Sequence, residues 1–137
     1  MSARTKARKR ALDILYVADM RQISVPQALA AEAERAASEP ERETSWLYAR
    51  EIVDGVVDHQ AEIDELIETY AQGWTLKRMP AIDRALLRIG IWEIVYNEHV
   101  PDAVAISEAV EAATVLSTDD SAGFVNGLLA KIAQVKA

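Results

Sequence analysis

The sequence predicts an all-α fold of seven helices, set as two groups around one central helix. Three observations predict it. The 137-residue chain is rich in Ala, with 6% aromatics, 5 Gly and 4 Pro, a composition that favours helices over strands and loops. Apolar residues recur at i, i+3, i+4, i+7 along nearly the whole chain. One segment, 81–98, carries apolar residues on two opposite faces, as expected of a helix packed between two layers.

The elements follow in order. A first helix runs from Ala3 to Met20, with Ala11, Ile14, Leu15 and Ala18 on one face. Ser24 caps a second, with Pro26 at its start and Gln27 three residues on; its body ends at Ser38-Glu39-Pro40. A third spans Arg42 to Asp58, with Trp46, Ala49, Ile52, Val53 and Val56 as its stripe, and a fourth Ala61 to Tyr70, using Ile63, Leu66, Ile67 and Tyr70. Gly73 to Pro80 is a connection from which Trp74 and Leu76 are expected to plug the core. The fifth helix is the two-faced one: Ile82, Ala85, Leu86 and Ile89 fall within about 60° of one direction, and Leu87, Ile91, Ile94 and Val95 lie opposite. Pro101 opens a sixth, with Ile106, Ala109, Val110, Ala113 and Leu116 facing inward. Ser117-Thr118-Asp119-Asp120 forms a break and a cap, and the last helix, from about Asp119 to Val135, buries Val125, Leu128, Leu129 and Ile132. Gly127 inside it implies close helix packing, because Gly in mid-helix costs up to about 1 kcal/mol against Ala. Residues 1–137 read as one domain, large enough to bury roughly two-thirds of the unfolded surface without a staple.

The absence of Cys fits a reducing, cytoplasmic setting. No stretch of about 18 apolar residues is present to cross a bilayer, and Asp13 breaks the apolar run that a signal peptide would need. The two His residues, His59 and His99, lack the paired spacing of a metal site, so no metal or cofactor is expected. The run Glu62, Asp64, Glu65, Glu68 reads as a solvated helix face. Gly123 to Gly127 lacks the Lys-Ser/Thr ending of a phosphate loop. No catalytic constellation emerges, and the chain is not expected to be an enzyme.

Charge is the informative feature. The net charge is −7, yet residues 1–10 hold Arg4, Lys6, Arg8, Lys9 and Arg10 and no acid. The other 127 residues hold 10 bases and 22 acids, a net of −12. A basic arm on an acidic body can neutralise phosphates; the same cluster also fits a solvated basic terminus. It opens a helix, where the macrodipole favours acids, so it costs a little stability. Reading a single strand further requires aromatic stacking and polar groups for base edges. Tyr16, downstream of the arm, and Phe124, flanking the stripe of the last helix, are the aromatic candidates; Phe124 can equally be core. Asp120 can cap its helix or accept a hydrogen bond from a base.

Four stretches in order resemble the NusB family of transcription antitermination factors: Arg8 to Tyr16 (RKRALDILY), Trp74 to Ile89 (WTLKRMPAIDRALLRI), Val100 to Val110 (VPDAVAISEAV) and Ser117 to Gly127 (STDDSAGFVNG). The resemblance implies the NusB-like fold of two helical sub-bundles sharing one long helix. It further implies pairing with the ribosomal protein NusE, binding of single-stranded boxA RNA in nascent ribosomal RNA transcripts, and indirect contact with other Nus factors and RNA polymerase. Carried over by position, the RNA-facing residues are Arg4, Lys6, Arg8 and Arg10, with Tyr16, Asp120 and Phe124, and Asp83 is similar to a position facing NusE. Thr5 stands where relatives often carry another base, Ser107 where Asn is commoner, and Ala122-Gly123 where some relatives are polar or basic. Trp74-Thr75-Leu76 resembles the actinobacterial branch, some of whose members self-associate. That leaves a homodimeric protein-interaction module with little RNA affinity as the alternative function.

Overall fold

A computed structural model describes residues 2–39 and 43–136. Among them are seven α-helices and no strand: α1 (Ala3–Arg21), α2 (Val25–Ala37), α3 (Glu43–Asp58), α4 (Gln60–Tyr70), α5 (Ala81–Ile91), α6 (Asp102–Leu116) and α7 (Ser121–Val135). A 3-10 turn, Leu76–Arg78, precedes α5, and a π-helical turn, Trp92–Tyr96, continues it. The expected start of α3 at Arg42 and the expected stop of α2 at Pro40 lie outside the described residues.

The helix ends follow local chemistry. Ser2 and Ser24 accept the backbone N–H of Thr5 and Gln27, each at 3.1 Å, and so satisfy first-turn donors of α1 and α2. α1 stops at Gln22, whose left-handed φ of 54° turns its N–H back onto Ala18 and Asp19. α7 starts later than expected, at Ser121, and the expected side-chain cap is not made. Asp120 makes no side-chain cap bond; instead the Ser121 hydroxyl accepts the Thr118 N–H at 3.2 Å.

α1, α2 and α3 pack on one another, α6 and α7 pack together with α4 against α7, and α5 touches both groups. The two-faced helix is therefore the shared one, as its periodicity requires. Leu86 and Ile89 are buried on one side and Leu87, Ile91 and Ile94 on the other. Truncating Leu87 or Ile91, neither with any exposed surface, removes a side chain worth about 2–5 kcal/mol.

Several expectations fail for identifiable reasons. The fifth helix is not α-helical to Glu98. The Asn97 N–H bonds the Trp92 carbonyl, five residues back, at 3.2 Å, which inserts one residue per turn and re-aims the side chains there. Trp74 does not plug the core; it is 54% exposed, whereas Met79 from the same connection is buried and Leu76 packs partly buried against the core. The loop is instead held by Arg84, whose guanidinium donates to the Leu76 and Met79 carbonyls at 2.9 and 2.6 Å and to Asp19 of α1 at 2.8 Å. On α6 the innermost stripe is Ala105, Ala109 and Ala113, Ile106 and Val110 are half-buried, and Leu116 is 39% exposed. Gly127 meets nothing within 4 Å of where a Cβ would sit, so packing does not demand it. The close approaches are at Gly55, where a Cβ would lie 1.9 Å from Trp92 Nε1, and Gly90, where it would lie 2.8 Å from Leu129 Cδ1.

Candidate nucleic-acid interface

The helical rotation of 100° per residue splits the basic arm. Arg4 and Arg8 fall on one side of α1, Lys6 and Arg10 roughly opposite, and Lys9 between. The structure treats the two sides differently.

Arg8 points inward. Its side chain is 11% exposed and its Nε donates to both carboxylate oxygens of Glu93, at 2.9 and 3.0 Å, while Nη1 donates to Glu108 at 2.8 Å. Glu93 is 1% exposed and sits in the π-helical turn. The Tyr48 hydroxyl also donates to Glu93, and Asn97 donates to the Tyr48 oxygen at 3.2 Å. The buried charges are thus paired and hydrogen-bonded, the condition for tolerating them. Burial by itself lowers the Arg8 pKa, but the hydrogen bond and charge of Glu93, with Tyr48 and Glu108, raise it above its ordinary value. Burial, then the Glu93 hydrogen bond and charge, push the Tyr48 phenol far above its ordinary range. Arg8 therefore does not face outward with the other cations: its charge is already spent on Glu93 and Glu108. Arg4 is exposed but lies over the Tyr48 ring, 4.7 Å from the centroid, a cation–π contact that orders it. Thr5 donates to Glu108 beside this network.

Lys6 points outward and is exposed. Lys9 is also exposed and pairs with Asp13 one turn on at 2.7 Å. Arg10 is partly covered, donating to Ser45 at 2.9 Å and Glu32 of α2 at 3.3 Å. These three cations border a groove of about 560 Å³ between α1 and α2, which Arg21 and Arg35 also line. The charge-run reading of residues 4–10 missed those two, because one closes α1 and the other is on α2.

The remaining candidates sit elsewhere. Tyr16 is half-buried on α1. Asp120 is exposed at the start of α7. Phe124 is half-buried and packs on the core, and its ring meets Trp74 at 6.4 Å between centroids, tilted by 52°. Both readings of Phe124 thus hold in part, and Trp74 adds an exposed indole that the sequence placed inside. Asp83 does not face outward. It is 2% exposed and accepts hydrogen bonds from Ser117 at 2.6 Å and Ser121 at 2.8 Å, which ties α5 to the α6–α7 turn. Its carboxylate is occupied within the fold.

The buried network was legible in principle. On the α5 rotation Glu93 falls in the middle of the Ile82–Leu86–Ile89 face, and on α1 Arg8 falls between Leu12 and Leu15. A charge centred on an apolar face calls for a buried opposite charge.

No group of three or more His, Cys, Asp or Glu able to hold a metal ion exists among the described residues. No helix described is long and apolar enough to cross a membrane.

The comparisons with known proteins agree with the fold and the motifs. Residues 5–134 match the model of the NusB family. The chain is 81% identical over 136 residues to the transcription antitermination protein NusB of Leifsonia xyli subsp. xyli, spanning 99% of this chain and 94% of that one. It is 69% identical over 137 residues to that of Clavibacter sepedonicus, with both chains covered in full. Among solved structures, T. maritima NusB superposes with a TM-score of 0.88 at 29% identity, covering 100% of this chain and 94% of that one. The antitermination factors NusB and NusE in complex with double-stranded RNA give 0.84 at 25% identity, covering 98% of each chain. From the family match across nearly the whole sequence, and from relatives this similar over their full length, the chain belongs to the NusB family.

Proposed function

We propose that this protein is an RNA-binding transcription antitermination factor that acts with NusE on boxA RNA of nascent ribosomal RNA transcripts. The observation that carries the reading is the outward half of the α1 arm. Lys6 and Lys9 on that half are exposed cations, and Arg4, on the Tyr48 side, is exposed as well; on a chain of net charge −7 this concentrates positive potential at one end of one helix. Support also comes from the NusB relatives, which are named antitermination proteins, and from the structural neighbour in which NusB is joined by NusE and RNA. The arm supplies phosphate affinity without sequence information. Tyr16, Asp120 and Phe124 supply ring faces and an acceptor for reading bases.

Binding of boxA RNA and of a scrambled RNA, each with and without NusE at two salt concentrations, tests the reading. A boxA preference that NusE strengthens is the expected result, and equal binding of both RNAs overturns it. Phe124→Ala is expected to weaken boxA binding by about 1–3 kcal/mol, the usual worth of a base stacked on a ring.

A further inference from the structure

The groove between α1 and α2 continues the outward face of the basic arm along α1, past the residues assigned above to RNA. Its rim carries Lys6, Lys9 and Arg10 at one end, Arg35 across from them on α2, and Arg21 at the far end. Among the described residues, two acids, Asp13 and Glu32, stand against these five bases. The balance is the reverse of the chain as a whole. It is also the reverse of the cleft on α4, which is lined by Asp64, Glu65 and Glu68 with no base. The floor is apolar, formed by Ile14, Val17, Ile23 and small alanines. Lys6, Arg10, Val17 and Arg21 fall within about 60° of one another around α1, and Lys6 to Arg21 spans roughly 22 Å at 1.5 Å per residue.

We infer that this groove binds the sugar-phosphate backbone of single-stranded RNA, carrying it from the basic arm along α1 toward Arg21, with Arg35 closing on it from α2. The inference rests on the RNA-binding function proposed above and extends it by a second site. Charge complementarity supports this occupant: phosphates recur at every nucleotide, and the groove offers Lys6, Lys9, Arg10 and Arg35 at one end and Arg21 at the other. Continuity supports it as well, since Lys6, Lys9 and Arg10 belong to both the arm and the groove. The apolar floor gives base faces a surface out of water. Glu32, which both Arg10 and Arg35 contact at 3.3 and 3.2 Å, holds the two arginines facing one another across the groove. Arg21 and Arg35 are exposed, so the fold does not depend on burying them.

The experiment measures binding of a boxA RNA, and of the same RNA extended by an oligouridine tail, to the wild-type chain and to the double variant Arg21→Gln, Arg35→Gln, across a range of KCl. Losing two phosphate contacts is expected to reduce the log–log salt slope for the extended RNA by about 1.4 and to weaken its binding about 25-fold at 0.1 M salt. The helical circular dichroism and melting curve should stay as in the wild type. A wild-type chain that binds boxA RNA, with a double variant of unchanged slope and affinity, overturns the groove site and leaves the proposed function standing. A wild-type chain with no RNA affinity overturns both. A double variant that keeps its RNA slope but loses NusE makes the groove a protein surface and overturns the RNA occupant. Should the double variant misfold, cross-linking of a 4-thiouridine tail to the wild-type chain decides the matter. Adducts between Arg21 and Arg35 are expected, and adducts confined to α7 overturn the proposal.

Discussion

Arg8 and Lys6 stand two residues apart in one run of cations, and the fold gives them opposite fates. Arg8 and its neighbour Arg4 turn toward Tyr48, Glu93 and Glu108. Lys6 and Arg10 turn toward the groove with α2. A basic segment on a helix is therefore two surfaces, not one. One half spends its charge on fixing α1 against the π-helical turn and α6; on the other Lys6 is exposed, Lys9 pairs with Asp13 at the surface and Arg10 pairs with Glu32 of α2. The inward half has a further consequence: it holds the first turns of α1 in place, so the outward cations are presented from an ordered helix and lose less entropy on binding.

This division can be broken first at Arg8. Arg8→Met leaves Glu93 charged and buried without its main partner. The expected loss is about 3–5 kcal/mol in urea unfolding, whatever happens to RNA affinity. A variant of full stability that lost only RNA binding would erase the distinction between the two halves. Gly55→Ala attacks the same assembly from behind. The new methyl meets the Trp92 indole, at the start of the turn that carries Glu93, and overpacking of this kind costs about 1–3 kcal/mol; an unchanged melting temperature would show that the turn yields freely.

Tyr48→Phe is a finer probe. Its folded pKa is raised above the ordinary 10.0, so its contribution to stability is complete below pH 10.0 and is lost as pH rises from there toward the folded value. Wild-type stability should fall over that alkaline window more steeply than that of Tyr48→Phe, and parallel curves would refute the coupling. The smallest effect on stability is expected on the outward half. Lys6→Gln with Lys9→Gln should change unfolding free energy by no more than about 0.5 kcal/mol. It should flatten the RNA salt slope by about 1.4, two contacts' worth. A stability loss comparable to that of Arg8→Met would mean the outward lysines are structural too.

The fold was largely legible because helices declare themselves by period. The stripe Val125, Leu128, Leu129, Ile132 is buried as read, and the two-faced segment is the shared helix. Legibility failed where a side chain's neighbours come from distant sequence. Trp74 is large and apolar, yet it lies outside beside Phe124, on a loop that Arg84 pins at Leu76 and Met79. Leu116 lies at helical spacing from Ala109 and Ala113, yet it closes α6 where little remains to cover it. Gly55 and Gly90 gave no local sign of the indole and the leucine they face. The candidate site was half legible: charge counting located the arm but could not orient it.

The sequence by itself determined the seven helices, their order, the shared fifth helix and the position of the excess positive charge, because helical period and local charge are properties of neighbouring residues. Only the tertiary structure decided which cation of the arm is drawn into a buried ion-pair network. That choice depends on Glu93, Glu108 and Tyr48 arriving from three other parts of the chain, and on a π-helical turn that aims one of them at Arg8. It also depends on α2 bringing Arg35 across from Lys6 and Arg10. Pairing in space settles where a charge is spent, and spacing along the chain does not contain it.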